Sequence, residues 1–315
     1  MKKILEIFNQ FNNIIQSNQI FIKKNSQLIL VFGANNKSDK DNDEITKIEY
    51  KTKCVDNRKK TKREKLLDYF KNNKKEPYLV FTSEDFMEVF ENDNDKNLLD
   101  LESKLANFID CVIIILESWG SVAELGAFAI NEELVKKILV INNRDYIKAN
   151  SFIRKGPITK INKKSKFKPV IYANFDNFLK SVNSIDKNLQ EGLKKQAKSI
   201  KLDELLKINK YRMMLIADII NIFNPISDKN LFTLCNKIFP SKHKDIKYEL
   251  SLLECFNIIK KHNNFIFRDE FGEYYFFRYG KNSFISNKKI YKLRYKVYNY
   301  YIRENKFKTS IYANT

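Results

Sequence analysis

The segment ESWGSVAELGAF, residues 117–128, sets one carboxylate, Glu124, among small and apolar residues directly after the run CVIIIL. Two kinds of chemistry suit it. Ser121-Val-Ala-Glu124 matches the capping box S-x-x-E, in which Ser121 caps a helix and the glutamate reaches back to the serine amide. The same carboxylate, at a helix N-terminus with Gly120, Gly126 and Ala127 leaving room for a substrate, can attack the anomeric carbon of a ribosyl group. It can also stabilise that carbon by charge while a glycosidic bond breaks through an oxocarbenium-like state. A second acid is then useful to hold the sugar hydroxyls. Glu102 and Asp100 in LLDLESKLANFID and Asp85 in SED are the candidates, and each taken singly also reads as a solvated acid.

Such side chains must be gathered by a scaffold. LILVF (28–32), YLVF (78–81), CVIIIL (111–116), ILVI (138–141) and PVIYA (169–173) are short apolar runs that read as buried strands. LLDLESKLANF and SVAELGAFAINEELVKK between them have helical spacing, so residues 26–174 are expected to form an α/β domain, a Rossmann-like, mostly parallel sheet covered by helices. Sheets of this kind bind ligands at the carboxyl ends of their strands, which would collect Gly33, Ser83–Asp85 and Glu117–Ser121. Ahead of the domain, within residues 1–25, Ile4, Phe8, Phe11 and Ile15 form a helical stripe, read as docked on the domain or on a second subunit in preference to a membrane surface. Residues 35–60 mix charges and read as an exposed insertion before a helix that opens near Arg63. Residues 175–224 are polar and helical, a spacer or an oligomer contact.

A second unit is expected over 225–280. DKNLFTLCNKI (228–238) and DIKYELSLLECFNIIKK (245–261) read as two helices, and NFIFRDEFGEYYFF as a hairpin turning near Asp269–Gly272, the order of a winged helix-turn-helix. Lys242, Lys244 and Lys247 at the start of the second helix would meet phosphates in that geometry, although the same fold also serves as a protein-contact module. The tail, 281–315, is basic and aromatic. Lys288, Lys289, Lys292 and Arg294 alternate with Tyr291, Tyr295 and Tyr298 at helical spacing, which suits single-stranded nucleic acid, bases stacking on rings while cations follow the backbone. The bland alternative for the rings is a stripe packed on the winged helix.

Composition narrows the classes. The 315 residues suffice for two domains, and 58 Lys and Arg against 38 Asp and Glu give a net charge of +20. That excess fits a polyanionic partner, and it also fits the lysine and asparagine bias of an AT-rich genome, since only nine of the 58 cations are arginine. Cys54, Cys111, Cys235 and Cys255 are dispersed without a C-x-x-C pair, so neither a disulfide framework nor a zinc ribbon is indicated, and a reduced cytoplasm suits the chain. Two histidines, His243 and His262, both late, argue against a His-based triad or a zinc hydrolase in the first half. No metal-ligand cluster, Gly-rich phosphate loop or membrane-length apolar run is present, so no metal and no resident cofactor is expected.

The string FIDCVIIILESWGSVAELGAFAINEELVKKILVI resembles the active-site segment of nucleoside 2-deoxyribosyltransferase-like proteins. More closely still, the chain resembles bacterial retron effector proteins, which join such a domain to a C-terminal winged helix. The likeness extends over Gly33, Arg63, the Glu84-Asp85 pair, Leu101-Glu102, ESWGSVAELGAF, SFIRKGPI (151–158) and the winged helix. It implies a toxic antiphage effector that cleaves the N-glycosidic bond of NAD, restrained in an assembly by the retron reverse transcriptase and its branched RNA-DNA product. On the family pattern Glu124 is the nucleophile or cation-stabilising carboxylate, Glu102 takes the place of an orienting aspartate, and Ser118 and Ser121 bind substrate with Gly33, Arg63, Asp85 and Gly120 around them. Chemistry leans the same way, because nicotinamide leaves as a neutral base from an already cationic ring and needs no histidine acid, whereas other bases generally benefit from protonation. A nucleoside deoxyribosyltransferase or other nucleotide N-glycosidase of metabolism, and a non-catalytic DNA-binding regulator, are the other classes the residues admit.

Overall fold

The computed structural model describes residues 2–23, 27–34, 60–72, 78–85, 108–193, 199–239, 243–262, 265–268 and 275–303. Strands are β1 Ile20–Ile22, β2 Leu28–Phe32, β3 Leu79–Thr82, β4 Cys111–Ile115, β5 Ile138–Asn143, β6 Ile171–Ala173, β7 Ser199–Ile200, β8 Ile226–Ser227, β9 Ile259–His262, β10 Phe265–Arg268 and β11 Phe277–Tyr279. Helices are α1 Lys2–Ser17, α2 Lys62–Asn72, α3 Trp119–Ile130, α4 Thr159–Lys164, α5 Val182–Leu193, α6 Leu202–Leu206, α7 Asn209–Phe223, α8 Asp228–Ile238, α9 His243–Cys255 and α10 Ser283–Arg303. They divide into two units, Ile29–Glu76 with Asp110–Lys194, and Met1–Leu28 with Pro77–Ile109 and Lys195–Thr315. The expected helix around LLDLESKLANF, the insertion and the tail beyond 303 lie outside the described residues.

The chain is mixed α/β, with a five-stranded sheet in the order β3-β2-β4-β5-β6. Its centre is apolar on both faces: every residue of Leu28–Phe32 and of Cys111–Ile115 is buried, as strands covered on both sides require. β4 runs parallel to β2 and to β5, with Phe32 beside Ile114 and Val112 beside Ile138. This register makes the chain leave β2 at Gly33 and β4 at Leu116-Glu117 on one edge of the sheet. In the same unit α5 is held by its small residue: a Cβ on Gly192 would lie 2.2 Å from Phe167 Cδ1. Asp186 on α5 accepts a hydrogen bond from the Tyr69 hydroxyl of α2 at 3.1 Å.

The other unit is organised around α7, whose residues are buried on nearly every side. Residues 175–224 are thus shared out, α5 packing in the sheet unit and α7 forming the middle of the second. Asp218 of α7 accepts the amides of Phe276 and Phe277 at 2.8 and 3.2 Å and the hydroxyl of Tyr279 at 2.7 Å. Burial pushes its carboxyl up to about 7 despite those three donors and the nearby Lys23. The stripe of α1 docks here: Phe8 meets Phe223 at 5.9 Å and Phe11 meets Tyr279 edge-on at 5.4 Å.

Residues 226–268 follow the order strand, helix, helix, strand, strand, with the antiparallel sheet β8-β10-β9. α8 covers 228–238 as its periodicity requires, but the hairpin differs from the sequence expectation. It joins Ile259–His262 to Phe265–Arg268, one strand earlier than expected. Asn257, at φ 52, stops α9 in a Schellman motif, the amides of Ile258 and Asn257 donating to Leu253 and Glu254 carbonyls, both at 2.9 Å. Ile258 and Ile259 keep the helical period, so apolar spacing alone carries the expected helix past that stop. The second half of the expected hairpin, β11, instead pairs antiparallel with β1, Ile20 opposite Tyr279.

Candidate functional site

Ser118 is the N-cap of α3, in extended conformation at φ −145 and ψ 160. Its hydroxyl accepts the Ser121 amide at 3.2 Å, and the Ser121 hydroxyl accepts the Ser118 amide at 3.2 Å while donating to the Ser118 carbonyl at 2.8 Å. The capping box is therefore Ser118 with Ser121, not Ser121 with Glu124. The helix starts three residues earlier than the S-x-x-E pattern predicts, because the chain leaves β4 at Ile115 and needs only Leu116 and Glu117 to turn. Glu124 consequently stands in the second turn of α3, half-buried, on the face it shares with Gly120 one turn before. A Cβ on Gly120 would meet only the Ser118 hydroxyl at 3.9 Å, and one on Gly126 would meet nothing within 4 Å. Ser121 is 1% exposed, its hydroxyl engaged locally.

Glu117 does what no short motif announces. Its Oε1 accepts the amides of Ala34 at 3.2 Å and Arg63 at 3.0 Å, and its Oε2 accepts the amide of Lys62 at 3.0 Å, with the Lys62 ammonium 3.8 Å away. The amides of Lys62 and Arg63 are the first two of α2, donors that no helical carbonyl can satisfy and that lie at the positive end of the helix dipole. Thr61 and Glu64 complete that terminus as a capping box, with amide contacts of 2.8 and 3.1 Å. Gly33 fits under the carboxylate because it lacks a side chain: a Cβ there would be 3.0 Å from Glu117 Oε1 and 3.1 Å from Arg63 Cβ. One acid thereby ties the end of β2, the start of α2 and the turn into α3, bringing Gly33, Arg63, Ser118, Gly120 and Ser121 to one edge. Its side chain is 5% exposed and its oxygens carry three amides, so it is a clamp, leaving Glu124 as the more accessible carboxylate of the segment.

Asp85 closes a local turn, accepting the Thr82 amide and hydroxyl, both at 2.8 Å, while its carbonyl accepts a bond from the Cys255 thiol at 3.1 Å. Glu102 and Asp100 fall outside the described residues. Among the described residues no group of three or more His, Cys, Asp or Glu side chains is placed to hold a metal.

Of the basic residues, Lys242 lies outside the described residues, Lys244 is in the first turn of α9, and Lys247 is exposed on that helix. Lys288, Lys289 and Lys292 are exposed on α10 and Arg294 is half-buried there. Tyr291, Tyr295 and Tyr298 are 51%, 65% and 54% exposed, so more than half of each ring residue stays open to solvent among the described residues. The buried face of α10 is a different one, Ile290, Leu293, Val297, Tyr300 and Tyr301.

The model of the STM3845 retron effector protein family matches residues 59–261, which include Arg63, Glu117, Glu124 and α8–α9. The chain is also similar to an Escherichia coli protein named "Retron Ec73 putative ribosyltransferase/DNA-binding protein", 32% identical over 201 residues that cover 57% of this chain and 62% of the relative. A second Escherichia coli relative, "Retron Ec86 putative ribosyltransferase/DNA-binding protein", is 30% identical over 177 residues, 53% of this chain and 56% of that protein. The likeness thus spans about three-fifths of the relatives' length. A match that takes in Glu117 with the start of α2, the Glu124 helix and α8–α9 covers more than half of the chain, which accordingly belongs to the STM3845 retron effector family.

Proposed function

We propose that this effector is a toxin that cleaves the N-glycosidic bond of NAD or a related nucleotide, with Glu124 as the reacting or cation-stabilising carboxylate. The observation that carries the reading is the transfer of the helix cap to Ser118 and Ser121, which removes capping as the reason for a glutamate at 124. Glu124 then lies one turn into α3, on the face of Gly120, after a strand end of the kind that binds nucleotides in nucleoside deoxyribosyltransferase-like domains. In the proposed step the carboxylate bonds to, or electrostatically stabilises, the ribosyl anomeric carbon. The bond to nicotinamide breaks with its electron pair going to the ring nitrogen, and water supplies hydroxide to the sugar and a proton to solvent. Glu117 acts at one remove, holding the amides around the turn. Glu102 is assigned the sugar hydroxyls on the family pattern.

The run α7, β8, α8, α9, β9 and β10 has the connectivity of a winged helix, with α9 as the helix that would present Lys244 and Lys247 to phosphates. That supports nucleic acid as a ligand of this half, in keeping with the relatives' names. In this reading the retron reverse transcriptase and its RNA-DNA hold the effector inactive in a larger assembly.

The test is Glu124→Gln, assayed for NAD consumption with purified protein and for growth arrest on expression without the other retron components. The amide keeps size and polarity but cannot serve as the anion. A loss on the order of 10³-fold or more in NAD cleavage, with unchanged thermal unfolding, is expected. Full retained toxicity would sink the enzymatic reading in favour of a non-catalytic regulator. Release of free base from deoxynucleosides with NAD untouched would move the substrate to nucleosides.

A further inference from the structure

Building on the assignment of nucleic acid to the C-terminal half, we propose that the outward face of α10 is a separate single-strand site. Phe284, Tyr291, Tyr295 and Tyr298 offer rings to the bases of an unpaired strand, while Lys288 and Lys292 neutralise its phosphates. The rings share one side of the helix. At 3.6 residues per turn, Phe284, Lys288, Tyr291, Lys292, Tyr295 and Tyr298 fall within roughly 120° of one another. The opposite side, Ile290, Leu293, Val297 and Tyr301, is buried in the fold, where α10 packs on α1 and α7.

Four rings between 51% and 75% exposed along one helix are a large commitment of aromatic surface to water. The charge beside them has one sign: α10 carries Lys288, Lys289, Lys292, Arg294, Lys296 and Arg303 and no acid. Arg303 is exposed, whereas Lys296 donates to Gln10 of α1 at 2.6 Å and so also fastens the helix. Cations next to ring faces select a polyanion that also has flat apolar groups to stack.

Spacing decides between a paired and an unpaired ligand. At 1.5 Å rise per residue, Tyr291 to Tyr295 advances ~6 Å and Tyr295 to Tyr298 ~4.5 Å. Successive bases of a duplex strand are ~3.4 Å apart, with their faces already stacked. Rings at the wider steps can receive bases only from a strand that has been opened out. A duplex or an acidic protein surface would use the lysines and leave the tyrosines in water. A bilayer is disfavoured because the larger apolar face of α10 is already spent inside the fold.

The full-length protein is titrated against a labelled oligothymidylate and against a matched duplex by fluorescence anisotropy over a salt series. Tyr291→Ala with Tyr295→Ala should weaken the single strand by ~10-fold or more and leave both the duplex and the salt slope unchanged. Tyr291→Phe with Tyr295→Phe should bind as the parent does, since a phenyl ring stacks equally, which also controls for folding. Lys288→Ala with Lys292→Ala should reduce the magnitude of the single-strand salt slope by about 1.4, at ~0.7 per phosphate. Unchanged binding by the alanine pair overturns the site. So does ring-dependent binding of polyglutamate or of phosphatidylglycerol vesicles in place of the strand. If Lys247→Ala abolishes single-strand binding and the ring variants do not, nucleic acid remains the ligand and α10 is not its site. Failure of the parent to bind either oligonucleotide at low salt removes both assignments.

Discussion

Glu117 and Glu124 are seven residues apart in one segment, yet the fold treats them differently. The first is buried under three amides and the second is half-buried on a helix face. Replacing Glu117 by Ala removes the acceptor of all three amides at once. An expected loss of about 3 kcal/mol in denaturant unfolding follows from charge-assisted bonds left unmade in a covered site. Gly33→Ala should have a smaller effect in the same direction, about 1–2 kcal/mol, since a Cβ 3.0 Å from the carboxylate must push the clamp aside. A Gly33→Ala protein as stable as the parent would mean that the clamp is loose. Glu124 and Gly33 stand out in the sequence because each departs from its local pattern. The role of Glu117 does not, because an acid that accepts amides from residues 34, 62 and 63 has no signature within its own segment. The misplaced cap has a similar cause: Ser118 and Ser121 both satisfy the serine of a box, and only the end of β4 decides between them.

At the scale of elements, apolar runs were the most readable feature, since strands covered on both faces leave no polar residue to blur their limits. Pairing across the chain was not readable: nothing in Phe277–Tyr279 says that its partner is Ile20–Ile22. α5 shows how a single hydrogen can fix an element. The Gly192 position touches Phe167 so closely that Gly192→Ala, ordinarily favourable in a helix, should destabilise by about 2–3 kcal/mol. Thermal unfolding of the variant checks this, and a rise in melting temperature would show that Phe167 moves aside freely.

Across the whole molecule, the charge of +20 sits on a fold with at least one carboxyl that resists ionisation. Asp218 joins α7 to β11, and burial raises it from the usual carboxylate range to about 7. Because the folded state holds the proton more tightly than the unfolded chain, this stabilisation is full below about pH 4 and is lost as pH climbs through about 7. Unfolding free energy should therefore fall between about pH 4 and about pH 7. Asp218→Asn should flatten that slope while lowering stability throughout, because its amide nitrogen cannot accept from Phe277 or Tyr279. A slope of equal size in the variant would place the titrating group elsewhere. Among the described residues no helix is long and apolar enough to cross a membrane.

The pairing of β1 with β11 and the seating of α1 beside α10 also bear on how the protein is made. α1 takes apolar partners from far along the sequence, Phe223 for Phe8 and Tyr279 for Phe11, so on a growing chain these rings wait uncovered until α7 and then β11 have been made. A nascent chain stopped ahead of Phe277 would leave Phe11 without its Tyr279 partner and present that part of the sticky stripe to chaperones and proteases, so a fragment truncated there is apt to be degraded.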